Sequence, residues 1–256
     1  MGLPVRGSRP RHGDRGLSGD EGPLALVAGA SQGIGRAIAT ALAASGMSLL
    51  LVARRREPLD DAVRDIRRLG TRIEGRAMDL VDAGARAELI AELDGRPEGL
   101  DLLVHSAGTI ARADIADATE EDFDRQYDAN LRTPFALAKG LLPSLTRSRG
   151  QIVFVSSSAA LVARANAGQY AATQAGLRAM ATALRDEVND AGVRVTLVFP
   201  GRTATPLQAR IHAWEGRPYE PSRLLQPEDV ASIVAAAVSL PRTAEVTEIS
   251  IRPMTK

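Results

Sequence analysis

The sequence predicts an α/β protein in which a doubly wound, seven-stranded parallel sheet carries helices on both faces. From residue 23 onwards, short apolar runs rich in β-branched residues alternate with longer segments of helical periodicity. This alternation is typical of βαβ units, whose crossover helices cover both faces of a parallel sheet. Nothing resembling a linker interrupts residues 23–256, so we expect one domain there.

The first 22 residues differ from the rest of the chain in composition. They are rich in Gly, Arg and Pro and have almost no apolar periodicity. They also lack the apolar segment that a signal peptide requires. We therefore expect residues 1–22 to form a disordered N-terminal extension.

The first half of the domain shows apolar strand runs, each followed by an amphipathic segment. Glycines at positions 46 and 70 follow two of these segments and mark helix ends. Strands are expected at 24–28, 48–53, 72–77 and 100–105, and helices at 36–45, 57–69 and 82–93.

The second half continues the alternation. Thr119 with Asp122 forms a variant of the capping box and begins a long helix that runs to about Leu145, interrupted near Pro134. Strands are then expected at 151–155, 193–199 and 246–251, and helices at 169–190, 207–214 and 227–240.

Composition argues against several classes of protein. The net charge is +1 and the eight aromatic residues are scattered, so we expect no nucleic-acid or anionic-membrane partner. The sequence has no cysteine and three widely separated histidines, so no metal site is expected. No apolar run approaches the roughly 18 residues of a membrane span. The absence of cysteine suits a reducing compartment, and we expect a cytoplasmic location.

Three spaced glycines lie directly after the first strand and before the first helix. Glycines permit a tight turn and a close backbone approach, and the N-terminus of the helix offers free N–H groups to a pyrophosphate. The alternative is an ordinary glycine-rich turn, which does not by itself explain why the glycines lie directly between a strand and a helix. The predicted phosphate-binding residues are Gly29, Ser31, Gln32, Gly33, Ile34 and Gly35.

The residues after the second strand bear on cofactor choice. NAD-binding folds usually place an acidic residue there to bind the adenine ribose hydroxyls. This chain has Arg54 and Arg55 instead. Arginine pairs with a 2′-phosphate, whereas a carboxylate repels it, so NADP(H) is favoured over NAD(H).

Three polar side chains are expected together at the end of the fifth strand. Ser157 follows that strand, and Tyr170 lies in the first turn of the next helix, with Gln174 one turn further along the same face. A hydroxyl, a phenol and an amide converging at a strand end suggest a site. An ordinary capped strand end followed by a helix is the alternative interpretation of this stretch alone.

These motifs together resemble the short-chain dehydrogenase/reductase family over nearly all of residues 23–256. The family has a G-x-x-x-G-x-G turn, an acidic residue after the third strand, an N-N-A-G motif, an active-site asparagine, a serine thirteen residues before a tyrosine, and a later P-G loop. The residues at the corresponding positions, with His105 and Ser106 in place of the two asparagines, are Gly29, Gly33, Gly35, Asp79, Leu80, His105, Ser106, Ala107, Gly108, Asn130, Ser157, Tyr170, Pro200, Gly201 and Thr203.

The resemblance implies a Rossmann fold, NADP(H) binding and a small-molecule carbonyl or alcohol substrate. Tyr170 would be the general acid/base, Ser157 would orient the substrate oxygen, and Asn130 would help to hold a water in a proton relay. Asp79 and Leu80 would contact the adenine side, Ser106–Gly108 would line the cofactor, and Pro200–Thr203 would contact the nicotinamide. A substrate lid at about residues 205–223 and a homodimer or homotetramer are also implied.

One departure from the family pattern matters for the chemistry. The family's Tyr-xxx-Lys is Tyr170-Ala-Ala-Thr-Gln174 here. Glutamine donates hydrogen bonds to a ribose, as lysine does, but supplies no positive charge to lower the phenol pKa. At the ordinary tyrosine pKa of about 10, on the order of one phenol in a thousand is ionised at pH 7. Loss of such acid–base help costs roughly 10²–10⁴-fold in rate.

Three hypotheses follow from Gln174. The protein is an NADP(H)-dependent reductase with an atypical site, or it binds nucleotide and performs a non-redox step or a scaffold role, or Gln174 is an introduced substitution. Arg164, Arg202 and Lys139 are candidates for a replacement cation, although each is also expected to be solvated. Trp214 either lines the pocket or anchors the lid.

Overall fold

A seven-stranded parallel sheet forms the centre of the structure, a computed structural model that describes residues 22–254. The strand order is β3-β2-β1-β4-β5-β6-β7. The strands are β1 (Leu24–Ala28), β2 (Ser48–Ala53), β3 (Ile73–Ala77), β4 (Leu102–His105), β5 (Gln151–Val155), β6 (Arg194–Pro200) and β7 (Glu248–Ile251). The predicted doubly wound α/β fold is confirmed.

Eight α-helices connect and flank these strands in the described part of the chain. They are α1 (Gly33–Ala44), α2 (Arg56–Arg67), α3 (Ala83–Asp94), α4 (Glu120–Tyr127), α5 (Thr133–Ser148), α6 (Gly168–Val188), α7 (Pro206–Trp214) and α8 (Pro227–Val238). The boundaries predicted from periodicity agree with these within about three residues. The predicted extension at residues 1–22 lies outside the described residues except for Gly22, and its separation from the domain stays a prediction.

The two faces of the sheet bury separate apolar clusters. On one face, α1, α2 and α8 pack through residues such as Ile38, Leu59 and Val234. On the other, α3, α5 and α6 contribute Leu89 and Leu141 among others. Strands covered on both faces are buried at every position, as β2 and β6 are, which explains why both strands are mostly apolar.

The connections place a crevice at the carboxyl edge of the sheet. From β1 the chain proceeds outward through β2 and β3, and it then returns to pair β4 with the opposite side of β1. The connecting loops diverge where the direction of winding reverses, and α/β proteins bind ligands in the opening that results.

The helix predicted from Thr119 to Leu145 is interrupted more extensively than the sequence indicates. Thr119 caps α4 through its hydroxyl, which accepts from the backbone N–H of Asp122 at 3.1 Å. A π-helix over Asp128–Arg132 then separates α4 from α5, and Pro134 lies in the first turn of α5. Short π-helical segments are rare and occur often at functional sites. Apolar periodicity does not distinguish such a turn from continuous α-helix.

Within residues 22–254, no helix is both long and apolar enough to cross a membrane. In the same residues, no group of three or more metal-ligating side chains comes together.

Candidate active site

A cleft of about 1680 Å³ crosses the carboxyl ends of the central strands. Its walls are the loops that follow β1 to β6, the first turns of α6, and the segment around α7. The cleft brings together every predicted site residue except Asn130: Gly29, Ser31, Gln32, Gly33, Ile34, Gly35, Arg54, Arg55, Asp79, Leu80, Ser106, Ala107, Gly108, Ser157, Tyr170, Gln174, Pro200, Gly201 and Thr203.

The glycine-rich turn at one end of the cleft depends on backbone geometry that side chains would block. Gly29 has φ +86°, and a Cβ built there would lie 2.6 Å from the backbone nitrogen of Ala107. Gly33 has φ +56° and begins α1. The turn therefore keeps the backbone close to the floor of the cleft, with the amide groups of the first turn of α1 exposed for an anion.

Two arginines form the rim of the cleft beside this turn. Arg54 and Arg55 follow β2, and both are exposed. Arg55 Nη2 donates to Gln32 Oε1 at 3.0 Å, which holds this guanidinium next to the phosphate loop. Positive charge therefore lies at the rim of the cleft beside the glycine-rich turn.

The loop after β3 is held in place by its own hydrogen bonds. Asp79 Oδ1 accepts from the backbone nitrogen of Val81 at 3.0 Å. The carbonyl of Leu80 accepts from Arg86 Nη1 at 2.6 Å. These bonds give this part of the cleft a defined wall.

Asn130 does not line the cleft but connects two of its walls. It is 2% exposed and lies in the π-helix. Its Oδ1 accepts from the backbone nitrogen of Thr109 at 2.8 Å, and its Nδ2 donates to Thr109 O at 2.9 Å and to Thr173 Oγ1 at 3.1 Å. Thr173 in turn donates to the carbonyl of Tyr170 at 2.8 Å. The side-chain amide is thus occupied by protein groups, so a relay water at this position would have to be held by backbone groups.

Ser157 and Tyr170 meet in the middle of the cleft. Ser157 caps a 3₁₀ turn, its Oγ accepting from the backbone nitrogen of Ala159 at 3.1 Å, and Tyr170 lies in the first turn of α6. The tyrosine side chain is enclosed by protein but keeps partial solvent access through the cleft. Burial raises the pKa of the Tyr170 phenol, and a hydrogen bond with Ser157 partly opposes that rise.

Gln174 lies one helical turn after Tyr170, where the sequence pattern predicts it. The residue is 4% exposed, and its Oε1 accepts from Ser156 Oγ at 2.8 Å. This bond orients the amide and leaves Nε2 as the atom that can donate into the cleft. The contact with Ser156 was not predicted from the sequence. Three consecutive serines follow β5, and only the middle one, Ser157, corresponds to a family position.

In the described part of the chain, no positively charged side chain acts on the Tyr170 phenol. Burial and the Ser157 hydrogen bond account for the pKa shift of Tyr170, without a contribution from a charged group. Arg164 lines the cleft as an exposed residue, while Arg202 is paired with Glu215. Lys139 is exposed on α5, away from the residues that line the cleft.

The segment over the cleft is fastened by an arginine–glutamate cluster formed by Arg112, Arg202 and Glu215. Arg202 donates to both carboxylate oxygens of Glu215, at 2.8 and 2.7 Å, and Arg112 pairs with the same carboxylate. The hydrogen bonds from Arg202 and then Arg112 lower the pKa of Glu215 to about 2. Arg112 also donates to Asn166 Oδ1 at 3.0 Å. The cluster therefore joins the loops after β4, β5 and β6.

Trp214 does not line the cleft, which was one of the two roles considered for it from the sequence. It is 56% exposed and is absent from the described residues that line the cleft. The buried residues of α7 are Gln208 and His212, and the ring of His212 packs edge-on against Tyr219 with centroids 5.4 Å apart. His212 Nδ1 also contacts the carbonyl of Gln208 at 2.9 Å.

A buried pair of glutamines close to Tyr170 was also missed by the sequence analysis. Gln126 Nε2 donates to Gln169 Oε1 at 2.8 Å, and Gln126 Oε1 accepts from the backbone nitrogen of Ala111 at 3.0 Å. The pair ties the loop after β4 to the residue directly before Tyr170. The sequence gives no signal of this pair, because a buried helical glutamine cannot be distinguished from an exposed one in a single sequence.

Comparison with known proteins gives a consistent result. Residues 23–216 match the family model described as short chain dehydrogenase. An uncharacterised short-chain type dehydrogenase/reductase of Sinorhizobium fredii is 35% identical over 235 residues, covering 90% of this chain and 91% of that protein.

Two solved structures illustrate the structural similarity. An alcohol dehydrogenase from the archaeon Thermococcus sibiricus, complexed with 5-hydroxy-NADP, has a TM-score of 0.82 at 26% identity, covering 91% of this chain and 97% of that one. A 3-oxoacyl-[acyl-carrier protein] reductase from Brucella melitensis, in complex with NAD, has a TM-score of 0.78 at 28% identity, covering 89% and 94%.

Proposed function

Because the chain belongs to the short-chain dehydrogenase family, we propose that it is an NADP(H)-dependent oxidoreductase acting on a carbonyl or alcohol group of a small molecule. The observation that carries the proposal is the meeting of Ser157 and Tyr170 in the same cleft as the glycine-rich turn. A proton-donating group and a dinucleotide cradle side by side are what such a reaction needs.

The residues of the cleft fit a dinucleotide. A Cβ at Gly29 or Gly33 would lie 2.6 or 2.9 Å from a neighbouring protein atom, so the two glycines permit the tight turn that leads into the N-terminus of α1. Asp79 and Leu80 form the adenine side, while Ser106–Gly108 and Pro200–Thr203 form the walls nearer Tyr170. When bound, NADPH supplies the hydride that reaches the carbonyl carbon.

The proposed preference for NADP(H) rests on Arg54 and Arg55, because solved relatives carry either cofactor. We expect Arg54→Ala and Arg55→Ala to raise the Kd of NADPH about tenfold or more, by loss of charge-assisted bonds to the 2′-phosphate, and to leave NADH nearly unchanged. Arg56→Ala is the matched control, since Arg56 is exposed but does not line the cleft. Equal losses for both cofactors would contradict the preference.

Tyr170 has the properties of a proton donor. Burial keeps its phenol neutral at pH 7, because the pKa is raised from an already high ordinary value. A neutral phenol gives its proton to a carbonyl oxygen that Ser157 orients, but it is a poor base for removing a proton from an alcohol. We therefore propose that reduction is favoured over oxidation near neutral pH, with Gln174 Nε2 available to a ribose hydroxyl and Asn130 holding the surrounding walls.

Restoring the positive charge tests this chemistry. In Gln174→Lys, Ser156 Oγ can accept from the new ammonium, and the charge would lower the phenol pKa. We expect alcohol oxidation at pH 7 to rise about tenfold or more and its pH profile to move to lower pH, within the range of acid–base effects. Gln174→Met is the matched control, since it keeps the length and removes the polar atoms without adding charge.

A second candidate function is favoured by the same residue. With Gln174 bound to Ser156 and no cation acting on Tyr170 within the described residues, the site also suits a nucleotide-binding protein that performs a non-redox step or serves as a scaffold. An unchanged rate in Gln174→Lys, with NADPH still raising the Tm, would favour this alternative. If NADPH at millimolar concentration gave no thermal protection to the wild type, both nucleotide-binding proposals would be wrong.

A homodimer or homotetramer is also proposed. Phe123, Tyr127 and Phe135 are between 37% and 48% exposed on α4 and α5, a surface that a second copy could cover. Light scattering coupled to size exclusion would measure the mass, and Phe135→Glu should shift it toward the 27.1 kDa monomer. A cytoplasmic location stays a prediction supported by the absence of cysteine.

A further inference from the structure

The end of the cleft beyond Tyr170 is strongly basic. The three segments that form it are 109–112, 158–167 and 201–217. Among the described residues of these segments that line the cleft, the charged ones are Arg112, Arg164, Arg202, Arg210, Arg217 and Glu215. Five guanidinium groups thus face one carboxylate, although the whole chain has a net charge of only +1.

Only two of these five guanidinium groups are closely paired with a carboxylate, in the arginine–glutamate cluster. Glu215 binds Arg112 and Arg202 closely, and its pKa of about 2 keeps it charged. Arg217 lies 4.0 Å from the same carboxylate and is 68% exposed, a separation and exposure at which an ion pair contributes little.

Within residues 22–254, Arg164 and Arg210 form no ion pair, and Arg217 has only its long, exposed contact with Glu215. Arg164 precedes Tyr170 by six residues in the loop between β5 and α6, and Arg210 lies on α7. Positive groups on two sides of one opening repel each other, and an anion between them removes that repulsion. A neutral substrate would leave these charges uncompensated.

We propose that the substrate carries an anionic group, a carboxylate or a phosphate, in addition to the carbonyl or alcohol that reacts at Tyr170. The inference rests on the proposed oxidoreductase function and adds the class of substrate to it. Arg164, Arg210 and Arg217 bind the anionic group, since guanidinium groups make paired hydrogen bonds to planar carboxylates and to phosphates. The residues proposed to bind the cofactor phosphates, Gly29–Gly35 with Arg54 and Arg55, are separate from these three arginines.

Matched pairs of compounds separate the anionic group from the carbonyl. We would compare 4-oxopentanoate with its methyl ester, and dihydroxyacetone phosphate with dihydroxyacetone, each added to the protein with NADPH. At least one anion should raise the Tm of the NADPH complex more than its neutral partner does, and 0.5 M NaCl should reduce the difference, because salt screens exposed charges. The better pair identifies the carboxylate or the phosphate as the recognised group. Equal shifts within both pairs would overturn the proposal.

Single substitutions connect the effect to these side chains. Arg164→Gln, Arg210→Gln and Arg217→Gln should each raise the apparent Kd of the preferred anion about tenfold and leave its neutral partner unchanged. Arg68→Gln removes the same charge from a 75% exposed position on the far end of α2 and should change neither. If the three variants weakened NADPH binding instead, the arginines would serve the cofactor and the proposal would be wrong.

Turnover distinguishes this inference from the function on which it rests. If an anion binds selectively but no compound of the panel oxidises NADPH, even with Gln174→Lys, the oxidoreductase proposal fails and anion recognition stands. If acids and their neutral partners are reduced with equal kcat/KM and the arginine variants behave as wild type, the oxidoreductase proposal stands and anion recognition fails.

Discussion

Acid should destabilise this protein through one buried histidine. His105 ends β4 and is 1% exposed, and neither ring nitrogen has a hydrogen-bond partner within the described residues. Burial lowers its pKa to about 4. The backbone of Ala129 and Ala107 approaches the ring and opposes this shift, but without the geometry of a hydrogen bond. His105 therefore stays neutral in the folded protein down to mildly acidic pH.

The size and sign of the effect follow from linkage. The unfolded histidine has a pKa near 6.5 and the folded one about 4. Between these values the unfolded chain binds a proton that the folded chain does not, so acid favours unfolding. The contribution is complete above pH 6.5 and is lost as the pH falls toward 4. At about 1.4 kcal/mol per pH unit, the loss amounts to about 3 kcal/mol of unfolding free energy.

Urea unfolding at half-unit steps from pH 4.5 to 8 measures this contribution. His105→Asn removes the titrating group, and its free energy of unfolding should fall less steeply below pH 6.5 than that of the wild type, by up to about 1.4 kcal/mol per pH unit. Other titrating groups contribute equally to both proteins and cancel in the difference. His105→Gln provides a second neutral side chain in case asparagine packs poorly. Parallel curves for wild type and variants would refute the argument.

Three further outcomes are expected. Gly29→Ala should raise the Kd of NADPH more than tenfold by calorimetry, whereas Gly46→Ala, with a similar φ of +90° but nothing within 4 Å, should cost only stability and leave the Kd unchanged. Asn130→Ala leaves buried backbone groups unpaired and should lower the unfolding free energy by about 2–4 kcal/mol in urea, and a loss below 1 kcal/mol would contradict its linking role. Glu215→Gln should speed tryptic cleavage near α7 several-fold, unlike Glu220→Gln, whose carboxylate is 52% exposed.

Much of the fold could be predicted because it depends on neighbours in sequence. Strand runs and helical periodicity arise within 5 to 20 residues, and the parallel sheet follows from their alternation. The glycine turn is equally local, since Gly29, Gly33 and Gly35 lie within seven positions. The π-helix at Asp128–Arg132 was not predicted, because its hydrogen-bond register leaves no mark on apolar periodicity.

The unpredicted parts of the site are contacts between distant segments. Arg112 and Glu215 are 103 positions apart, and Gln126 and Gln169 are 43 positions apart. Each of these residue types is usually solvated on a surface, and a single sequence gives no sign of the exceptions. Pairing of this kind depends on how the loops after several strands converge, which only the assembled sheet specifies.

Gln174 shows most clearly which properties the sequence determines and which depend on the tertiary structure. Its chemical identity was determined by the sequence: an amide donates hydrogen bonds and carries no charge, whatever surrounds it. Only the tertiary structure decided that its oxygen is taken by Ser156 and that no arginine supplies the absent charge to Tyr170 among the described residues. The reason is physical, because a pKa depends on burial and on charges within a few ångströms, and those distances exist only once the chain has folded.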